Sequence, residues 1–413
     1  MYKDYFYPLK NYNIKVGEIL KKNIGLLVPS MNSGGAERVV SRLSYILNED
    51  YNVFVILFED TYMKYNLNGT VINLGVPAKV GHNFKRILLP FRRARILKKI
   101  KKDKNLDVVI SFLDSPNMVN FISRTNICKT ILSIRNFDTN YKNFILRYLF
   151  RFLYSKADKV ITVSQVINEK ISDEYNLSRE NVITIYNPYD LYEIKISGRE
   201  EIKEEYKSFF ESNKVFISVG RQVYQKGFWH LIKAFKKVHD IDPEARLVIV
   251  GREESGGKSI NLVKELGLEK KVLFTGYEQN PYKYMARSNI YVVSSLYEGF
   301  PNSMVEAMGA GCAILAADCK SGPREILYKS PNLQDISFEI EYADFGILVP
   351  PLSKIENWDK NVLEKEEIIL SNAMLTYIQN PSMQERYSEK ALERVKDFNY
   401  EKCKTEFECV INA

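Results

Sequence analysis

Histidine is almost missing from this chain: His82, His230 and His239 are the three in 413 residues. Cysteine is sparse as well. Cys128, Cys312, Cys319, Cys403 and Cys409 form an odd, widely spaced set without a CxxC pair. That pattern excludes a disulfide framework and a zinc site of ordinary ligand spacing, and it fits a reducing compartment. No window of about 18 apolar residues occurs, and the N-terminus, MYKDYFYPLKNYNIKVGEILKKN, lacks the apolar run of a secretion signal. A cytoplasmic protein is expected, at most peripheral at the inner face of the plasma membrane. There is no G-x-G-x-x-G fingerprint, which argues against a nicotinamide-dependent enzyme, and there are no repeats or low-complexity tracts. Nor is there a large charge imbalance. Lys+Arg 59 against Asp+Glu 51 leaves +8, a mild basic excess that favours anionic partners without pointing to nucleic acid, and no nucleic-acid partner is expected.

What the chain does have is a regular alternation of short β-branched runs with helical stretches. Strands are expected over 23–29, 52–58, 70–74, 106–112, 129–134, 159–164 and 181–187, then over 214–220, 245–251, 271–276, 289–295, 312–318 and 345–349. Runs that are apolar on both faces and separated by helices imply parallel sheets covered on both sides. The alternation breaks near NPYDLYEIKISGREE (187–201) and restarts at Lys214. At roughly 150 residues per domain, two doubly wound domains facing across a cleft account for the length. The expected division is 1–190, 191–385 and a C-terminal segment, 386–413, returning to the first domain. Ligands would lie at the carboxyl ends of the strands.

The stretch SSLYEGFPNSMVEAMGAG (294–311) joins a strand end to a helix start and carries Glu298 and Glu306, eight positions apart. Pro301 suits a first helical position, and Asn302 or Ser303 can cap. The free amides of that helix end attract an anion. Carboxylates beside an anion site serve poorly as phosphate ligands and well as acceptors for sugar hydroxyls, one on a ribose and one on a hexose. Elsewhere at strand ends, Gly34-Gly35 permits a tight turn with exposed amides, Arg221 and Lys226 offer a cationic clamp for a diphosphate, Asp114 and Arg135 sit at the expected cleft edge, and Asp318 and Gly322 lie at another strand end. Two lookalikes fail. GREESGGKS (251–259) has five residues where a P-loop has four between its glycines, and two glutamates besides. DID (240–242) precedes a strand and so lies at the wrong end of the sheet for metal-assisted transfer; no metal is assigned.

Taken together, GGAERV (34–39), SIRN (133–136), YNP (186–188), GRQVYQKG (220–227), EGFPNSMVEAM (298–308) and DCKSGPREIL (318–327) resemble the family 4 retaining glycosyltransferases of the GT-B fold, in particular those building bacterial surface polysaccharides on polyprenyl diphosphates. The resemblance implies a nucleotide-diphosphate sugar, UDP-linked, as donor substrate, bound mainly by the second domain without a separate cofactor. It implies a glycan or lipid-linked acceptor held mainly by the first. By position, Glu298 would contact the donor hexose and Glu306 the ribose. Arg221 and Lys226 would neutralise the leaving diphosphate, Gly34 and Gly35 would close on it, and the backbone of Gly299, Phe300, Pro301, Asn302 and Ser303 would face the donor. Many members carry a histidine where this chain has Arg135 and Asn136. A GT-B epimerase or a non-catalytic nucleotide-sugar-binding protein are the alternatives; the former needs cleft acids and histidines, and the four charged residues together argue against the latter.

One stretch lies outside this scheme. KRILLPFRRARILKKIKKDK (85–104) holds ten Lys or Arg and the single acid Asp103. Projected as a helix, Arg92, Arg95, Lys98, Lys99 and Lys102 share an arc, with Arg93 out of place among the apolar residues. Such a helix either packs on the sheet and solvates its charges, or docks on an anionic membrane together with Arg147, Arg151 and Lys156.

Overall fold

The computed structural model describes residues 21–32, 34–59, 65–76, 83–136 and 144–413. The N-terminal segment, His82, Phe137 and Asp138 lie outside the described residues, as do the side chains of Lys85 and Arg86.

The first half is a seven-stranded parallel sheet of β1 (Asn23–Val28), β2 (Asn52–Leu57), β3 (Thr70–Asn73), β4 (Val108–Phe112), β5 (Lys129–Ile134), β6 (Lys159–Thr162) and β7 (Val182–Thr184). Its order is β3-β2-β1-β4-β5-β6-β7. The second half repeats the plan with β8 (Val215–Val219), β9 (Arg246–Val250), β10 (Val272–Gly276), β11 (Ile290–Val293), β12 (Ala313–Ala317), β13 (Glu341–Tyr342) and β14 (Ile347–Val349), in the order β10-β9-β8-β11-β12-β14-β13. In each sheet the winding reverses beside the first strand, between β1 and β4 and between β8 and β11, which is where doubly wound sheets open a crevice. Burial follows the sequence pattern: β4 and β12 are covered on both faces along their whole length.

Every expected strand is present. The exception in the other direction is β13, a two-residue edge strand antiparallel to β14 that no apolar run announced.

Helices α1 (Gly35–Leu47), α2 (Asn83–Asp103), α3 (Asp114–Ile122), α4 (Phe144–Ser155), α5 (Gln165–Tyr175) and α6 (Leu191–Ser197) belong to the chain up to the second sheet. Helix α6 already leans on the second domain: Ile194 is fully buried, and a Cβ on Gly309 would sit 3.2 Å from its Cδ1. The helix Pro381–Arg394 stays on the second sheet, with Tyr387 Oη donating to the Ala343 carbonyl at 3.1 Å. The chain crosses back through Val395–Phe398, and the last helix, Tyr400–Asn412, buries Cys403, Phe407, Val410 and Ile411 in the core shared by β1, β2 and α1. The segment from 386 onward therefore begins inside a second-domain helix and ends on the first domain. Where the domains meet, the rings of Tyr186, Phe300 and Phe398 cluster at centroid distances of 5.3 to 5.6 Å. Aromatic contacts of this kind add about 0.5–1.5 kcal/mol each beyond area burial, and they fix the two sheets relative to one another.

Candidate active site

A cleft of about 430 Å³ lies between the carboxyl ends of the two sheets. It brings together Gly34 and Gly35 at the start of α1, Arg135 and Asn136 after β5, Arg221 and Lys226 after β8, and Glu298, Gly299, Phe300, Asn302, Ser303 and Glu306 after β11.

The loop after β8 is shaped by Gly227, whose φ of +58° and approach to the Ser294 carbonyl, 2.3 Å from where a Cβ would stand, leave room for no other residue without strain. That turn aims Lys226 at the end of β11. Its Nζ lies 2.7 Å from Glu298 Oε1, and the same oxygen accepts from Ser295 Oγ at 2.7 Å. Gln225 Nε2 approaches Glu298 Oε2 at 3.4 Å. Glu298 is 7 % exposed, so its charge is compensated inside the cleft wall rather than by water. Arg221 is different. Its side chain is 62 % exposed at the rim and its Nη1 pairs with Glu254 at 3.3 Å. The two cations therefore do not act as a preformed pair; one is seated, the other is held at the mouth by a glutamate of the failed P-loop lookalike.

The helix Asn302–Gly309 opens the second wall. Neither Asn302 nor Ser303 caps it, contrary to expectation: Pro301 is the cap residue and makes no side-chain cap bond. Asn302 is diverted across the cleft, its Oδ1 accepting from Asn187 Nδ2 and from Tyr189 Oη, both at 2.6 Å. Ser303 Oγ accepts from Tyr291 Oη at 2.7 Å. The N–H groups of Met304 and Val305 turn back to the Pro301 carbonyl, and the residues before them form the cleft wall. This is the anion-attracting end of the helix. Phe300 lines the cleft, and its ring is engaged in the cluster with Tyr186 and Phe398. Pro301 packs against Gly322, 2.3 Å from a Cβ built there, and does not line the cleft.

The first domain approaches very closely. A Cβ on Gly299 would lie 2.2 Å from the Arg135 carbonyl oxygen, and one on Gly35 would lie 3.1 Å from Asn302 Nδ2. Arg135 is buried, bonds to Ser133 Oγ at 3.0 Å and to Asn187 Oδ1, and stacks over Phe112 at 5.1 Å. Burial without a carboxylate partner pulls its guanidinium down to about 10.

Glu306 is the most enclosed acid of the site, at 1 % exposure. Arg38 Nη1 donates to both of its oxygens, at 2.8 and 3.0 Å, and Arg42 Nη2 donates to Oε1 at 2.9 Å. Burial works against both arginine charges, but Glu306 and the Tyr282 hydroxyl more than offset it and hold both guanidiniums above their ordinary range. Tyr282 is in turn pushed up to about 12, by burial and by Glu306. Beside them Glu37 is pushed up by burial. In GGAERV (34–39) the glycines stand out and Arg38 does not. The available signal was the i, i+4 spacing of Arg38 and Arg42, which puts both on one face of α1.

Of the strand-end acids, Asp318 does follow β12 as expected, while Asp114 does not line the cleft. Asp318 is turned away, bound by Arg324 at 2.6 and 3.0 Å and by Ser337, and does not line the cleft. Asp114 begins α3, and it is the preceding Leu113, at φ +78°, that reaches the cleft. The DID stretch falls where expected, at the amino end of β9, with Asp242 paired to Lys214 at 2.6 Å. Among the described residues, the one cluster of metal-ligating types, His230, Glu364 and Glu367, lies outside the cleft; there Glu367 accepts from His230 and Lys233 and closes the capping box of the helix Lys365–Gln379.

The family model for Glycosyltransferase Family 4 matches residues 33–193, and that for Glycosyl transferases group 1 matches residues 199–330. A glycosyltransferase of Methanocaldococcus jannaschii is 34 % identical over 79 % of this chain and 85 % of its own length. The chain belongs to glycosyltransferase family 4. It is a glycosyltransferase of the GT-B fold, and the two family matches coincide with the two walls of the cleft. The N-acetylgalactosamine-N,N'-diacetylbacillosaminyl-diphospho-undecaprenol 4-alpha-N-acetylgalactosaminyltransferase of Campylobacter jejuni is 29 % identical over 92 % of this chain and 96 % of that protein. Among solved structures, Anabaena HepE in complex with UDP and glucose is similar with a TM-score of 0.72 at 18 % identity, covering 95 % of this chain and 99 % of that one. A glycosyltransferase from Rickettsia africae has a TM-score of 0.73 at 15 % identity, with 95 % and 98 % covered. At such identities these two structures speak for the fold alone.

Proposed function

We propose that this family 4 enzyme transfers a hexose or N-acetylhexosamine from a UDP-sugar to a glycan or polyprenyl-diphosphate-linked acceptor in polysaccharide biosynthesis, with retention of configuration and without a metal ion. The observation that carries the reading is the seating of Lys226 on Glu298 beside the open end of the helix Asn302–Gly309, directly across from Gly34 and Gly35. A diphosphate placed at that helix end meets one fixed cation and a row of amides, and Arg221 can swing in from the rim. These are the groups that stabilise a leaving diphosphate as its charge grows. Glu298 then accepts from hexose hydroxyls, and Glu306 from the ribose. Glu298 is already engaged by Lys226 and Ser295, which suits a sugar acceptor better than a free nucleophile, so a front-face departure in which the leaving phosphate takes the acceptor's proton is the route that fits. The lipid-linked acceptor follows the Campylobacter jejuni relative, and the UDP-linked donor is what the resemblance to the family implies.

On the first domain, Arg92, Arg95, Lys98, Lys99 and Lys102 of α2 are all exposed. Arg93, the residue out of place in projection, is buried, donating to the Val76 carbonyl at 2.8 and 3.0 Å with its guanidinium 4.0 Å over Phe58. Lys101 is buried too, on Asn120. Among the described residues no helix is long and apolar enough to cross a membrane. The exposed arc, with Arg151 and the half-exposed Arg147 of α4, is the surface that would rest on anionic lipid beside a lipid-diphosphate acceptor. Screening the purified protein against a panel of sugar nucleotides by thermal shift tests the donor assignment: stabilisation by UDP-sugars above other nucleotides is expected, and indifference to all of them would refute it.

A further inference from the structure

The Oε1 of Glu306 is filled as it stands. It accepts from Arg38, from Arg42 and, at 3.4 Å, from Tyr282 Oη, and Oε2 accepts from Arg38 at 3.0 Å. A vicinal diol needs both oxygens of the carboxylate, so one arginine has to yield. The two are not equally free. Arg42 is 6 % exposed, donates also to the Pro188 carbonyl at 3.0 Å and to Tyr282 Oη at 3.1 Å, and lies 5.1 Å over the Tyr189 ring. Arg38 has a side chain 23 % exposed and loose ring contacts to Tyr65 and Tyr282, at 5.7 and 5.9 Å, and it lines the cleft one helical turn after Gly34 and Gly35. Arg42 can remain as the counter-charge of Glu306 while Arg38 leaves.

We propose that Arg38 is a donor-switched positioning residue: it latches the empty cleft through Glu306, and on donor binding it exchanges that carboxylate for the diphosphate. The inference rests on the reading that Glu306 receives the ribose. The exchange conserves charge pairing, since the neutral diol replaces a cation at Glu306 and the released guanidinium finds an anion on the same side of the cleft as the glycine turn. Because Arg42 keeps α1 on Glu306 throughout, the swap re-aims Arg38 alone, and only a diphosphate completes it. A nucleoside monophosphate breaks the latch without supplying the full anion that compensates for it.

The signature is a loss of affinity for UDP that UMP does not share, read by calorimetry with UMP and UDP on the full chain. Arg38→Gln is expected to bind UMP as tightly as wild type or more tightly, and to bind UDP more weakly, so that the preference for UDP falls by roughly tenfold or more, the equivalent of about one charge-assisted hydrogen bond. Arg38→Lys, which keeps the charge and loses the two-oxygen grip, should shift the preference in the same direction by less, and it serves if Arg38→Gln does not fold by circular dichroism. Glu306→Gln should weaken UMP and UDP alike. If Glu306→Gln leaves UMP affinity unchanged, the ribose reading falls and the latch with it. If Glu306→Gln weakens both ligands but the Arg38 variants lose UMP and UDP in parallel, the ribose reading stands and the latch alone is overturned.

Discussion

Lys226 Nζ and Glu298 Oε1 stand 2.7 Å apart across two loops that are 72 residues distant in the chain, seated together in the wall of the cleft. In the proposed function the pair couples leaving-group stabilisation to sugar recognition. Lys226→Ala should lower kcat by on the order of 100-fold while changing donor affinity only a few-fold, because the diphosphate's charge grows in the transition state. Steady-state kinetics with varied donor checks it; a rise in KM at unchanged kcat would mean that Lys226 serves ground-state binding only.

The approach of the two domains is steric as well as ionic. Gly299→Ala puts a methyl 2.2 Å from the backbone oxygen of Arg135, where no side chain can give way. The domains must then part. Transfer should fall by roughly 100-fold or more, since a displacement of about 1 Å at the reacting centre has that effect. Circular dichroism should stay that of the wild type, and an active Gly299→Ala enzyme would show that the two sheets need not close this far.

The strand pattern was legible because parallel strands covered on both faces must be apolar throughout, and that composition is visible residue by residue. β13 was not: two residues at an antiparallel edge carry no pattern. The arginines were lost for a different reason. On an amphipathic helix a charge reads as solvated, and nothing near Arg42 in the chain reveals a carboxylate partner 264 residues away. Lys101 was hidden likewise, since helical projection assigns charge to water and ignores carbonyl acceptors such as that of Asn120, whereas Arg93 already stood out among the apolar residues. Asn302 looked like a cap because the residues that divert it, Asn187 and Tyr189, come from the other domain.

Away from the cleft, Glu341 governs part of the acid limb of stability. Two bonds from Arg324, with Ser337 and Tyr328 adding theirs, hold its carboxyl down to about 2. A depressed carboxylate stabilises the fold at pH above its unfolded value near 4.5 and stops doing so as pH falls through its folded value. Glu341→Gln should therefore unfold at lower urea than wild type at pH 6, by roughly 1 kcal/mol once solvent screening of this partly exposed pair is allowed for, with the gap closing towards pH 2. A gap independent of pH would assign the loss to packing instead.

The basic face of α2 predicts a salt-sensitive membrane contact. With roughly 1 kcal/mol per cation near an anionic surface, changing Arg92, Arg95, Lys98, Lys99 and Lys102 to Gln should abolish co-sedimentation with phosphatidylglycerol-containing liposomes at low ionic strength. Wild-type pelleting should fade as salt is raised. Equal pelleting of both proteins, or of neither, would remove the membrane from this account and leave the donor site untouched.

The central claim is that this cleft moves a sugar from a UDP-linked donor with fixed protein charges in place of a metal. It is tested most directly by following labelled sugar from the best donor of the panel onto a polyprenyl-diphosphate-linked acceptor in excess EDTA, with wild type and Glu298→Gln side by side. Full wild-type transfer in the chelator and a collapse in Glu298→Gln is the predicted result. Transfer that vanishes with EDTA and returns with a divalent ion, or that survives undiminished in Glu298→Gln, would contradict it.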